Sequence, residues 1–134
     1  MSDYGFTITL DQPFEATVER VVEALAQEGF GVLSDIDVQK TLKAKLGVDR
    51  GPYRILGACN PHYAHRAIEA QPDIGLLLPC NVIVRGEPDG RTTVGFMDPR
   101  AVLALVGDPN VTQLGAEVRS LLEKARDAVA GKRS

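Results

Sequence analysis

A chain of 134 residues with 18 acids, 15 bases and a formal charge of −3 has the size of one domain, long enough to bury about 70% of its unfolded surface without covalent staples. Its 44% apolar and 25% charged residues exclude a disordered tail, and two cysteines exclude a disulfide scaffold while fitting a reducing cytoplasm. The longest apolar run, Ile74 to Leu78 with its flanks, falls far short of the ~20 residues that span a bilayer, and no export signal opens the chain, so a cytoplasmic location without membrane contact is expected.

Phe6, Ile8 and Leu10 alternate with Thr7 and Thr9, the period of a half-buried strand. Asp11-Gln12-Pro13 starts a helix, with Pro13 in its first turn and Glu15 at the positive end. Phe14, Val18, Val21, Val22 and Leu25 form its buried stripe and Gly29 stops it. Phe30 to Val38 reads as a strand, after which Asp37 caps a short helix to about Leu46, ended by Gly47. Tyr53 to Cys59 is the next strand. Asn60-Pro61 opens a helix that runs to about Ala70 and stops before Pro72.

Leu76 to Val84 is almost wholly apolar, which predicts a central strand buried on both faces and interrupted at Pro79. Glu87-Pro88-Asp89-Gly90 is turn chemistry, and Thr92 to Met97 returns as the second strand of a hairpin. Asp98-Pro99 opens a short helix and Asp108-Pro109 a long one, whose buried face is Val111, Leu114, Val118, Leu121, Leu122, Ala125 and Val129. Gly131 to Ser134 is expected to fray. The order β-α-β-α-β-α-β-β-α-α places a β-α-β unit in each half and predicts an α+β fold. Its architecture is a two-layer sandwich of one sheet of about five strands with helices on one face, ferredoxin-like with additions, in a single domain over residues 1–134.

Charge is uneven. Lys40, Lys43, Lys45, Arg50, Arg54 and Arg66 face one acid, Asp49, over residues 40–66, a local +5 that leaves −8 on the rest of the chain. The segment contains Gly47-Val48-Asp49-Arg50-Gly51-Pro52, whose two glycines suit amides converging on an anion, and it ends at the helix opening at Pro61, where unpaired amides favour negative charge. One reading is an anion site shared by loop, bases and helix start. The other is that the lysines solvate the face of a short helix. The loop matches neither a P-loop nor a dinucleotide fingerprint, and no cofactor is expected.

Cys59 and Cys80 are each followed by Asn. Cys59 stands just before a helix N-terminus, where a thiolate is stabilised. Four readings stay open: two small buried hydrophobes; a ligand-contacting or reactive Cys59 beside a structural Cys80; a metal shell of Cys59, His62 and His65, the two histidines sharing a helix face; and a redox couple of both thiols. Register divides them. A helix of about eleven residues returns the chain roughly 16 Å, so a strand beginning near Leu76 would bring Cys80 back to Cys59, whereas one beginning at Cys80 would leave the sulfurs at opposite ends.

Asp35 and Asp37 share a strand face, as a carboxylate pair or as a strand end and a helix cap. Tyr53 and Tyr63 lie near the basic segment, Tyr53 as half-buried packing. A pI near 5.3 and few aromatics among the bases argue against nucleic acid, and no Ser-His-Asp pattern is present.

Gly29-Phe30-Gly31-Val32-Leu33, Asp35-Ile36-Asp37-Val38, Lys45-Leu46-Gly47-Val48, Tyr53 through Pro61 and Leu76-Leu77-Leu78-Pro79-Cys80-Asn81-Val82 resemble the domain-of-unknown-function family numbered 302. The resemblance covers nearly the whole chain, in order. It implies a compact α+β domain that self-associates as a dimer, and a connection with sulfur or redox metabolism. It brings no catalytic residues.

Three functions are expected to compete. In the first, a cytoplasmic and homodimeric domain binds a small anionic or thiol-bearing ligand at the start of the Pro61 helix, with Cys59, Cys80, Asn60 and Arg54 around it and Lys45 and Arg50 extending the field. In the second, Cys59 is a catalytic nucleophile with His62 or His65 as base. In the third, the chain only dimerises, through a sheet edge or its last helix.

Overall fold

Three aspartates turn the chain from extended backbone into helix by one device. The carboxylates of Asp37, Asp98 and Asp108 accept from the amides of Lys40, Arg100 and Asn110, each at 2.9 Å, which satisfies N–H groups that a helix start leaves unpaired. A computed structural model describes residues 3–131; the expected fraying of Lys132, Arg133 and Ser134 lies outside them. The elements are β1 (Gly5–Leu10), α1 (Phe14–Gln27), β2 (Gly31–Asp37), α2 (Val38–Leu46), β3 (Tyr53–Cys59), α3 (Pro61–Ala70), a 3-10 turn at Pro72–Leu77, β4 (Cys80–Gly86), β5 (Thr92–Met97), α4 (Pro99–Leu103), a 3-10 turn at Ala104–Val106, and α5 (Pro109–Val129).

The five strands make one sheet in the order β1-β5-β4-β3-β2. Every neighbouring pair is antiparallel. This is the α+β fold expected, an antiparallel sheet with helices packed against it. The two β-α-β stretches differ in kind, however. β1 and β2 run the same way at opposite edges, so α1 crosses the whole sheet, whereas α3 joins β3 to its antiparallel neighbour β4.

Alternation along the strands puts Phe6, Leu56, Ala58, Val82, Val84, Val94 and Phe96 into the core. There they meet Val18, Val21 and Leu25 of α1 and Val118, Leu122, Ala125 and Val129 of α5. Val22 is a correction to the predicted stripe: it is 38% exposed, and Thr17 and Ala24 are buried in the same helix. The Thr17 hydroxyl donates to the Pro13 carbonyl at 2.8 Å, which removes the cost of burying it. A second cluster, Ala67, Ile74, Leu103, Val111 and Leu114, packs α3 and its 3-10 turn onto α4 and α5.

The predicted strand Leu76–Val84 is also corrected. Residues 72–77 coil into a 3-10 turn, Leu76 is 88% exposed, and pairing starts only at Cys80. Proline cannot donate to a ladder, so β4 begins immediately after Pro79. It is buried on one face only: Cys80, Val82 and Val84 are inside while Asn81 is exposed.

Arg119 of α5 joins the layers. Its guanidinium lies 4.5 Å from the centroid of Phe6 and pairs with Asp98, which is only 8% exposed. Gly115 accounts for how closely α4 and α5 approach. A Cβ there would stand 2.7 Å from the Pro99 carbonyl oxygen and 3.2 Å from the Arg100 α-carbon, both backbone atoms that cannot swing aside. Glycine inside a helix normally costs ~1 kcal/mol relative to alanine. Here Gly115→Ala is expected to destabilise the domain by about 1–3 kcal/mol, read as a lower urea midpoint at unchanged slope. A raised midpoint would mean that α4 does not press on α5.

Candidate functional site

Ala58 stands directly opposite Cys80 across the β3–β4 ladder, and Cys59 is the next residue. Strand spacing therefore sets the α-carbons of Cys59 and Cys80 about 6 Å apart. This corrects the register argument. β4 does begin at Cys80, yet the two cysteines are neighbours along the backbone, because α3 and the 3-10 turn form an excursion that leaves and returns at the same end of an antiparallel pair. Both cysteines are free, Cys59 half-buried and Cys80 buried.

Both cysteines line a cavity of about 40 Å³ beneath α3, room for more than one water-sized group. Its other walls are Phe30, Ala58, Asn60, Tyr63, Ala64, Ala67, Leu78, Pro79, Leu103, Leu114 and Val118. They are almost wholly apolar. Ala64 and Ala67, on the inner side of α3, leave the space that larger side chains would fill. None of these wall residues apart from Cys59, Asn60, Tyr63 and Cys80 figured among the sequence candidates. The only sign of them was that pair of small residues on one helix face.

Burial pushes the Cys80 thiol up to about 12, with the neighbouring Cys59 adding to the effect, because an apolar surrounding disfavours the thiolate. The Asn60 side chain does not cap α3. Its amide turns back and donates to the Glu28 carbonyl at 3.3 Å, tying the end of α1 to the start of α3 next to the positive φ of Gly29.

The bases do not gather at this end. Arg54 is five residues from Cys59 along β3, about 17 Å. It is held by Asp35, to which Nε donates at 2.9 Å and Nη2 makes a second bond, and by Glu15 at 3.4 Å. The Arg54 hydrogen bond lowers the Asp35 carboxyl below the usual range. Asp35 is thus an ion-pair partner and Asp37 a helix cap, and the two do not act as a carboxylate pair. Lys45 and Arg50 are exposed on α2 and its following loop, beyond the Arg54 end of the sheet. In that loop the Gly51 amide already has an anion: Asp49 accepts from it at 3.0 Å and from Gln39 at 3.3 Å. Tyr53 is half-buried as expected, and the Arg66 guanidinium lies 5.6 Å from the Tyr63 ring centroid.

His62 and His65 share the outer, exposed side of α3, while Tyr63, Ala64 and Ala67 face inward. They do not converge with Cys59. Among the described residues no group of three or more His, Cys, Asp or Glu side chains could hold a metal ion, so the Cys59, His62 and His65 shell is not assembled. No described helix is long and apolar enough to cross a membrane.

The family model described as Domain of unknown function DUF302 matches residues 6–129. The chain belongs to the DUF302 family. It is also similar to a solved structure, the uncharacterized conserved protein DUF302 from Bacillus stearothermophilus, at 32% identity and a TM-score of 0.86 over 94% of this chain and 98% of that one. No curated protein matches. Neither DUF302 comparison names an activity or a ligand, so the chemistry of the site rests on its own residues.

A raised thiol pKa ties this site to stability. Above about pH 9 the unfolded chain releases the Cys80 proton that the folded chain retains up to about 12. Its contribution is therefore complete below pH 9 and is lost as pH rises. Urea midpoints measured from pH 8 to 11 should fall less steeply in Cys80→Ala than in the parent chain. Parallel slopes would show that Cys80 titrates as an exposed thiol.

Proposed function

We propose that this DUF302 domain is a binding module that holds a small, thiol-bearing ligand in the cavity beneath α3, with Cys59 in contact with it. The observation that carries the reading is that two cysteines, one half-buried and one buried, both line an apolar cavity. Apolar walls favour a ligand with a hydrocarbon portion. They also favour the thiol-bearing over the anionic ligand, since Arg54 is about 17 Å away along β3 and already paired. Cys59 as a nucleophile with a histidine base is less well supported, because both histidines face outward.

Dipropyl disulfide provides the test. The Cys59 thiolate attacks one sulfur, the S–S bond breaks, propanethiolate leaves, and an S-propyl group remains on Cys59. If the cavity receives that group, the adduct should melt several degrees higher than the free protein, and Ala64→Phe should abolish the gain. Arg54→Ala, at the other end of β3, should leave the gain intact. An adduct with an unchanged or lowered melting temperature would sink the reading.

A second reading, self-association, is favoured by a different surface. α2 has no buried residue, and a nine-residue helix is marginal without packing. Beside it Leu46 is 70%, Ile36 49% and Val48 45% exposed, and Leu33, near the other end of β2, is 72% exposed. A second copy laid over β2 and α2 would cover this patch. Light scattering behind size exclusion should then give twice 14.4 kDa for the parent chain, and a monomer for Leu33→Glu combined with Leu46→Glu. A parent chain that stays monomeric at high micromolar concentration excludes the homodimer.

A further inference from the structure

The sheet has helices on one side only, and its other side is unusually apolar for a face turned to water. Solvated faces of antiparallel sheets normally alternate to polar residues. Here Ile55, Ile83, Tyr53 and Met97 remain half-exposed on the side opposite Leu56, Val82 and Val84. Across β1, β5, β4 and the start of β3 this face is hollowed into a cleft of about 460 Å³, within the range of small-molecule sites. Gly95 lies at its centre, flanked by Thr7 and Ile83, which a Cβ at 95 would meet at 3.3 and 3.0 Å.

We propose that this cleft binds a small amphipathic carboxylate, its apolar body lying over Ile83 and Gly95 and its carboxylate on Arg85. Asn81, Ile83 and Arg85 alternate along β4 on this face, so the cleft runs about 13 Å from Asn81 to Arg85. Tyr4 and Met97 wall the Asn81 end, and Tyr53 stands directly opposite Arg85 on β3. Among the lining residues Arg85 is the single charged side chain. Glu87 pairs with one terminal nitrogen of its guanidinium without lining the cleft. The Nε and second terminal nitrogen form a fork suited to a carboxylate. The site is separate from the thiol cavity: Asn81 and Cys80 are consecutive residues of one strand and project to opposite faces.

Titration calorimetry of the full chain with octanoate tests the assignment, with octan-1-ol as the uncharged comparison. One octanoate should bind per chain, octan-1-ol about tenfold more weakly, and Arg85→Gln should weaken octanoate about tenfold. Arg91→Gln, which removes the same charge from the β4–β5 hairpin, should leave octanoate binding unchanged. Asn81→Trp, at an exposed position, should block the cleft; Thr7→Trp serves from the facing strand if that variant fails to fold. The assignment is overturned if octanoate does not bind, if octan-1-ol binds equally well, or if Arg91→Gln weakens binding as much as Arg85→Gln. It is equally overturned if both tryptophan variants bind like the parent chain, or if the parent chain is a dimer that Ile83→Asp dissociates, since the occupant would then be a second copy.

Discussion

The antiparallel register of β3 against β4, with Ala58 facing Cys80, is the constraint on which the rest of this molecule depends. It forces α3 and the 3-10 turn to leave and re-enter the sheet at one end, so the two cysteines come together where the helix begins. It also carries Arg54, Lys45 and Arg50 to the other end. Each strand residue moves the chain about 3.4 Å, so a basic segment continuous in sequence becomes two separate regions in space. A β4 running parallel to β3 would instead have set Cys80 beside Arg54, at the opposite end of the strand from Cys59.

Charge in this fold is mostly answered locally. Arg54 meets Asp35 and Glu15, Arg119 meets Asp98, Arg85 meets Glu87 and Arg91 meets Asp89. The Asp49 carboxylate accepts from the Gly51 amide of its own loop, and the Gly47 amide is taken by the Lys43 carbonyl. No buried side-chain polar atom among the described residues lacks a partner, so the interior carries little electrostatic strain. The region beneath α3 is then distinguished by absence of charge and presence of sulfur rather than by a field, which is why hydrocarbon and thiol chemistry fit it better than anion capture.

How much of this was legible in the residues depended on the range of the interaction concerned. Caps and stops act over two to four residues, and Asp37, Asp98, Asp108 and Gly47 stand where the sequence puts them. The ends of α3 and the β4–β5 hairpin are equally local. The start of β4 was not legible, because five apolar residues in a row suit a 3-10 turn against α3 as well as a strand. Strand order and direction depend on partners as far apart as Gly5 and Met97, which pair across 92 residues, and no local pattern encodes them. For the site, the sequence marked Cys59 and Asn60 at a helix start. The walls supplied by Leu103, Leu114 and Val118 belong to helices that meet α3 only once the chain has folded.

The unequal burial of the two thiols gives the site a direction. Cys59 is the less buried of the two, whereas Cys80 is held protonated by its surroundings. Thiol–disulfide exchange proceeds through a thiolate, so a mixed disulfide formed on Cys59 meets a neighbour poorly able to displace it. An efficient dithiol oxidant needs the opposite, a second thiol ready to resolve the first adduct. Burying Cys80 against Ala58, Leu78 and the helices therefore suits retention of a sulfur-linked group over turnover, and it follows from the same register that brings the pair together.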